Sequence, residues 1–151
     1  MDASQTLNAL ADGHLDGRSL LGLDAGHLDA LVDQALASAE HGRLGQACDL
    51  MEALAAVQPD RPVLALLLGH LYAQSGQHEA ALAAYADAAA RLGGGAAQRP
   101  HLAADIELAR AEIEIRLGDP STAHARLERV CRGGSPSAQA RAVALQEGLS
   151  I

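Results

Sequence analysis

The sequence predicts an all-α protein: three helix-turn-helix repeats wound into a superhelical array, with an N-terminal helical leader and a C-terminal capping helix. Three observations point there. First, hydrophobic residues make up 49% of the 151 residues while aromatics are 1%, with no Phe and no Trp. A core made of Ala, Leu, Val and Ile suits closely packed helices, because Ala and Leu are among the best helix formers and small side chains let backbones approach. Aromatic residues that favour strands are nearly absent. Second, one pattern of Gly, Ala and large apolar residues recurs along the chain. Third, Pro preceded by Asp, Arg or Ser punctuates it at helical intervals.

The recurring pattern begins at Gly42, Gly76 and Gly118. Five residues after each comes Ala47, Ala81 and Ala123. Four residues further stand Met51, Tyr85 and Leu127, and three further Leu54, Ala88 and Val130. Gly42 and Gly76 lie 34 residues apart, the period of the tetratricopeptide repeat (TPR). The resemblance to that motif is fullest in the second copy. Ala65, Leu68, Gly69 and Tyr72 occupy its Trp, Leu, Gly and Tyr positions, and Ala81 and Tyr85 its Ala and Phe. Pro59 closes the first copy at the motif's Pro position. Each matched residue has a physical task. The Gly takes a left-handed turn between the two helices, which is cheap only without a Cβ. The small Ala allows close packing, and the large residue one turn on fills the gap between repeats. A lone Gly-x4-Ala carries little weight; three copies in phase outweigh an unrelated Ala-rich bundle.

Taken in order, residues 1–24 form the leader, with a short helix expected over 3–11. The repeats occupy 25–134, at about 28–61, 62–95 and 104–137. Their helices are expected at about 25–41, 44–57, 61–75, 78–92, 101–117 and 120–132. Gly118 follows Gly76 by 42 residues, and the excess over one period coincides with the loop at 93–100, a glycine run ending in Pro100. Asp60-Arg61-Pro62, Asp119-Pro120 and Ser135-Pro136 read as N-caps with Pro in the first turn. The capping helix, 136–149 within the C-terminal segment 136–151, presents Ala138, Ala142, Leu145 and Leu149 on one face. The apolar Leu20-Leu21-Gly22-Leu23 either packs on the first repeat or supports a homodimer.

In a TPR stack the first helix of each repeat lines the concave face. Repeat phase then assigns a groove. The first repeat offers Asp29, Val32, Leu36 and Ala39; the second, Val63, Leu66, His70 and Ala73; the third, Asp105, Leu108, Glu112 and Ile115. The floor is mostly apolar with acidic edges, which suits an apolar helical or extended peptide of a protein partner. TPR clamps that grip a chaperone's terminal carboxylate use Lys, Asn and Arg. Val32, Leu36, Leu67, Asp105 and Ala109 stand at those positions, so that function is rejected. Leu36→Glu or Leu66→Glu is expected to leave the fold intact and abolish partner binding.

The order of elements resembles the class II chaperones of bacterial type III secretion, the translocator-chaperone family. The stretches that carry the likeness are Gly17-Arg18-Ser19-Leu20-Leu21-Gly22-Leu23-Asp24 before Leu28-Asp29-Ala30-Leu31, then Leu66 to Gly76, Ala81-Leu82-Ala83-Ala84-Tyr85, and Leu117-Gly118-Asp119 with Ala123. They span about residues 15 to 132. The resemblance implies a cytoplasmic chaperone that holds an apolar, pore-forming or related secreted subunit before export. It also implies that a short apolar, Pro-containing segment of that subunit docks in the concave groove. Where the family lines its pockets with aromatics, this chain has Val32, Leu36 and Ala39, leaving room for bulkier anchors. A co-chaperone of a needle or filament subunit, or a general TPR adaptor or assembly protein, would use the same surface.

Other function classes fit less well. Eleven basic against nineteen acidic residues give a net charge of −8, the wrong sign for a nucleic-acid binder. Every fixed cation is Arg. No run approaches the roughly 20 apolar residues of a membrane span, and the first residues do not read as a signal peptide. No membrane or nucleic-acid partner is expected. Cys48 and Cys131 read as free thiols of a reducing compartment. The seven His residues show no helical metal-site spacing, so no metal or other cofactor is expected. Asp105, Glu107, Glu112 and Glu114 form an acidic run in which Asp105 and Glu112 lie on one helical face, two turns apart; a solvated or ligand-steering face is expected rather than an acid–base pair. No catalytic residue is assigned, and the chain is read as a binding protein.

Overall fold

A computed structural model of the chain describes residues 25–96 and 98–149. The leader, its 3–11 helix and Leu20 to Leu23 lie outside the described residues. Seven α-helices are described, with no strand among them: α1 Ala25–Glu40, α2 Leu44–Val57, α3 Pro62–Gln74, α4 His78–Leu92, α5 Pro100–Arg116, α6 Pro120–Gly133 and α7 Pro136–Leu149. Each coincides with an expected helix to within one residue at either end. The fold is an all-α, TPR-like array of helical hairpins.

Local chemistry accounts for the hairpins. Gly42, Gly76 and Gly118 have φ of 80°, 81° and 86°, a conformation that a Cβ would strain. All three turns close with the same two hydrogen bonds. The N–H of Arg43, Gln77 and Asp119 donates to the carbonyl of Ser38, Tyr72 and Glu114, at 2.9, 2.9 and 2.8 Å. The glycine N–H donates to Ala39, Ala73 and Ile115. This pairing satisfies carbonyls that a helix end leaves open. Two of the three expected N-caps carry a side-chain acceptor. Asp119 Oδ1 accepts from Thr122 N–H at 3.3 Å, and Ser135 Oγ from Ala138 N–H at 3.3 Å. The third differs: Arg61, not Asp60, holds the cap position of α3, with Pro62 in the first turn and no side-chain cap bond.

The chain divides into two compact units, Met1–Asp60 and Arg61–Ile151. In the first, α1 packs on α2. Leu28, Val32 and Ala35 are buried on α1, and Ala47, Cys48, Met51 and Leu54 on α2. Cys48 is a free thiol whose pKa is raised by burial and then by Asp49 and Glu52.

The second unit holds two hairpins and the capping helix. One core cluster joins Ala65 and Leu66 of α3, Ala81, Tyr85, Ala88 and Leu92 of α4, and Ile106, Ala109 and Ile113 of α5. The other joins Ala111 of α5, Ala123, Leu127 and Val130 of α6, and Ala138 and Ala142 of α7. Helix α5 thus belongs to both. The motif residues of α4 and α6 are the centres of these clusters. Gly69 has a second role of its own: a methyl group there would overlap Cδ1 and Cε1 of Tyr85. The insertion forms a 3-10 turn, Gly93–Ala96, before Pro100 starts α5. Among the described residues, no helix is long and apolar enough to cross a membrane.

Candidate partner-binding groove

Two adjoining cavities run along α3 and α5 in the second unit. One, of about 320 Å³, is lined by Leu66 and His70 of α3, Asp105, Leu108, Ala109 and Glu112 of α5, and Arg141 of α7. The other, of about 410 Å³, is lined by His70, Ala73, Gln74, Tyr85, Ala109, Glu112, Ile113 and Arg116. They share His70, Ala109 and Glu112 and so form one groove. Its α5 side is the stripe 105, 109, 112 and 116, which helical periodicity places on one face.

His70 sits at the junction. It is exposed along the groove, but Tyr85 closes off one edge of its ring: Tyr85 Oη lies 2.8 Å from His70 Nδ1, and the rings meet edge to face at 67°. Tyr85 is buried, with 1% exposure, and burial pushes its pKa up to about 12, helped by Glu112. Desolvation lowers the His70 pKa, against the opposing pull of Glu112 and Asp105. A protonated phenol beside a neutral imidazole makes this a neutral hydrogen bond whose direction follows the imidazole tautomer.

Of the residues assigned by repeat phase, the structure brings together Leu66, His70, Ala73, Asp105, Leu108 and Glu112. Val63 is half-buried and lines neither cavity. Ile115 packs against the cluster beneath α7. Asp29, Val32, Leu36 and Ala39 lie on α1 in the other unit: Asp29 exposed, Val32 buried, Leu36 and Ala39 half-buried. Leu66 lines the cavity and also packs in the core. It is 6% exposed and belongs to the core cluster, so Leu66→Glu would bury a carboxylate and damage the fold.

The acidic run divides between two faces, with Asp105 and Glu112 together as their spacing implied. Asp105 and Glu112 line the groove, whereas Glu107 and Glu114 point to α6. Arg126 Nε donates to both Glu114 oxygens at 2.8 and 2.9 Å, and its Nη1 to Glu107 at 3.3 Å. Glu114 is 5% exposed, so this pair is part of the interior. Two residues along a helix turn about 200°, which separates 105 and 112 from 107 and 114. The sequence also missed two groove cations. Arg116 follows from the α5 stripe. Arg141 had no local signal, because it reaches Glu112 across 29 residues, with Nε to Oε1 at 2.8 Å.

A solved structure matches these helices: the Yersinia enterocolitica type III secretion translocator chaperone SycD. The TM-score is 0.75 over 89% of this chain and 98% of that one, at 17% sequence identity. The fold is SycD-like. No protein-family model matches the sequence, and neither does any curated protein. A SycD-like fold at so low an identity is physically reasonable, because the repeat demands only a turn glycine, a small residue and a large one at fixed spacing.

Proposed function

We propose that this chain is a cytoplasmic chaperone of type III secretion. It holds an apolar secreted subunit, a translocator or a related protein, by a short segment in the groove along α3 and α5. The observation that carries this reading is the groove itself, continuous over two cavities and set on the first helices of successive hairpins in a SycD-like fold. The groove combines the apolar Leu66, Leu108 and Ala109 with a polar rim of His70, Asp105 and Glu112. A pocket of that kind takes apolar anchors and orients them by a few polar contacts. By repeat phase, Asp29, Val32, Leu36 and Ala39 are the equivalent positions of the first hairpin, and Val63 and Ile115 complete the second and third.

The energetics suit a chaperone that must release its cargo. Each buried Leu-sized anchor contributes about 1.5–3 kcal/mol. Association and ordering of the segment cost about 4–15 kcal/mol, so a few anchors yield moderate affinity. The test is capture from the native cytoplasm by tagged wild type beside Ala73→Glu and Leu108→Glu, read by mass spectrometry. Both positions are half-buried groove residues, so the added carboxylate can reach water. The expected outcome is one secreted or membrane-active partner, lost in both variants while their helical content stays that of wild type. A partner retained by both variants would place the binding surface elsewhere and end this reading.

A further inference from the structure

One of the groove's two arginines already pairs with its wall. Arg141, on the capping helix, donates to Glu112 at 2.8 Å, and the two side chains are 61% and 29% exposed. An ion pair this open contributes little to stability. It contrasts with the side chains of Arg126 and Glu114, 13% and 7% exposed, which join α6 to α5 from within. Asp105 lines the same cavity two turns before Glu112 on the α5 stripe. It is exposed, and its carboxylate makes no hydrogen bond or ion pair among the described residues. Between the two carboxylates lie Leu108 and Ala109, with Leu66 opposite. The cavity therefore presents an apolar wall flanked by two carboxylates, one of them covered by a displaceable guanidinium.

Building on the groove reading, we propose that this cavity recognises an apolar and a basic side chain of the cargo segment together, and that Arg141 holds the basic side chain's place until cargo displaces it. The occupant is an extended segment of a partner protein with an Arg or Lys close to an apolar anchor. Charge complementarity selects that chemistry. The carboxylates favour a cation, and the chain's net charge of −8 draws basic segments towards it. Arg fits better than Lys, because its fork can engage one carboxylate bidentately or bridge two. Leaving the groove, Arg141 loses only an exposed pair and regains full hydration.

The test titrates the full chain with labelled synthetic peptides carrying a pair of Leu anchors and, at each neighbouring position in turn, Arg, Gln or Glu. The best Arg peptide is expected to bind about tenfold tighter than its Gln counterpart, as a charge-assisted hydrogen bond warrants. That advantage shrinks as salt is raised. It is lost in Asp105→Asn with Glu112→Gln, and it grows in Arg141→Gln. Asp105→Asn alone, at an exposed position, carries the same test should the double variant fold poorly. Equal binding of Arg and Gln peptides overturns the inference and leaves the groove reading standing. Weaker Arg-peptide binding in Arg141→Gln overturns it too, since Arg141 would then be a contact and not a placeholder. Absence of binding across every series removes both the inference and the groove reading.

Discussion

Gly69 and Tyr85 show how a single position couples core and groove. The glycine leaves room for the tyrosine ring against α3, and the ring then carries its hydroxyl to His70 at the groove junction. Gly69→Ala sets two effects in opposition. Ala is the better helix former by about 1 kcal/mol, but the added methyl collides with a ring that is 1% exposed and cannot swing into solvent. Overpacking a filled core costs typically 1–3 kcal/mol. Gly69→Ala is therefore expected to lower the melting temperature despite its helix propensity, and Gly69→Ala with Tyr85→Leu to recover most of the loss. Thermal unfolding of the two variants checks this; a more stable Gly69→Ala would show that the ring has space to move. The Gly and the Tyr were legible as motif residues. Their contact was not, because it joins two helices.

At the scale of the element, the hairpins depend on their ends. The turns at Gly42, Gly76 and Gly118 share one hydrogen-bond pattern because each needs a positive φ at the same place, and this made them visible as a sequence repeat. Caps vary more. Arg61 shows that Pro in the first turn can start a helix without a capping side chain. Asp119 does cap, and its hydrogen bonds with Thr122 hold its carboxyl below the usual carboxylate range. A carboxyl whose folded pKa is depressed adds stability that is fully present above the unfolded value of about 3.9 and is lost as pH falls through the folded one. Asp119→Ala is accordingly expected to melt below wild type at neutral pH. The gap should narrow as the solution is acidified through that window. Melting curves over a pH series check both, and a gap independent of pH would mean that the ionised carboxylate is not what caps α6.

At the scale of the whole molecule, side-chain contacts between helices decide stability. Arg126 and Glu114 are twelve residues apart and nearly dry, with Glu114 accepting two hydrogen bonds from one guanidinium. Removing one partner leaves an uncompensated charge inside, which costs about 3–5 kcal/mol. Replacing both by apolar residues removes the desolvation penalty along with the attraction. Arg126→Ala is expected to shift the urea midpoint strongly downward, and Arg126→Met with Glu114→Leu to restore much of it. A mild effect from Arg126→Ala would mean that water reaches Glu114 once the guanidinium is gone.

The sequence alone determined the helices, their ends and the repeat that orders them. These follow from interactions within a few residues: the 3.6-residue period of apolar side chains, the positive φ that singles out glycine, and the fixed φ of proline. It also placed His70, Asp105 and Glu112 on the groove side, because helical phase is a local property. Only the tertiary structure decided that Leu66 is core, that Glu107 and Glu114 are claimed by Arg126, and that Arg141 closes on Glu112 from the far end of the chain. Each of those depends on a partner from another helix. Whether a polar or apolar side chain is buried, paired or free is set by what the fold brings opposite to it, and residue spacing along one helix does not encode that.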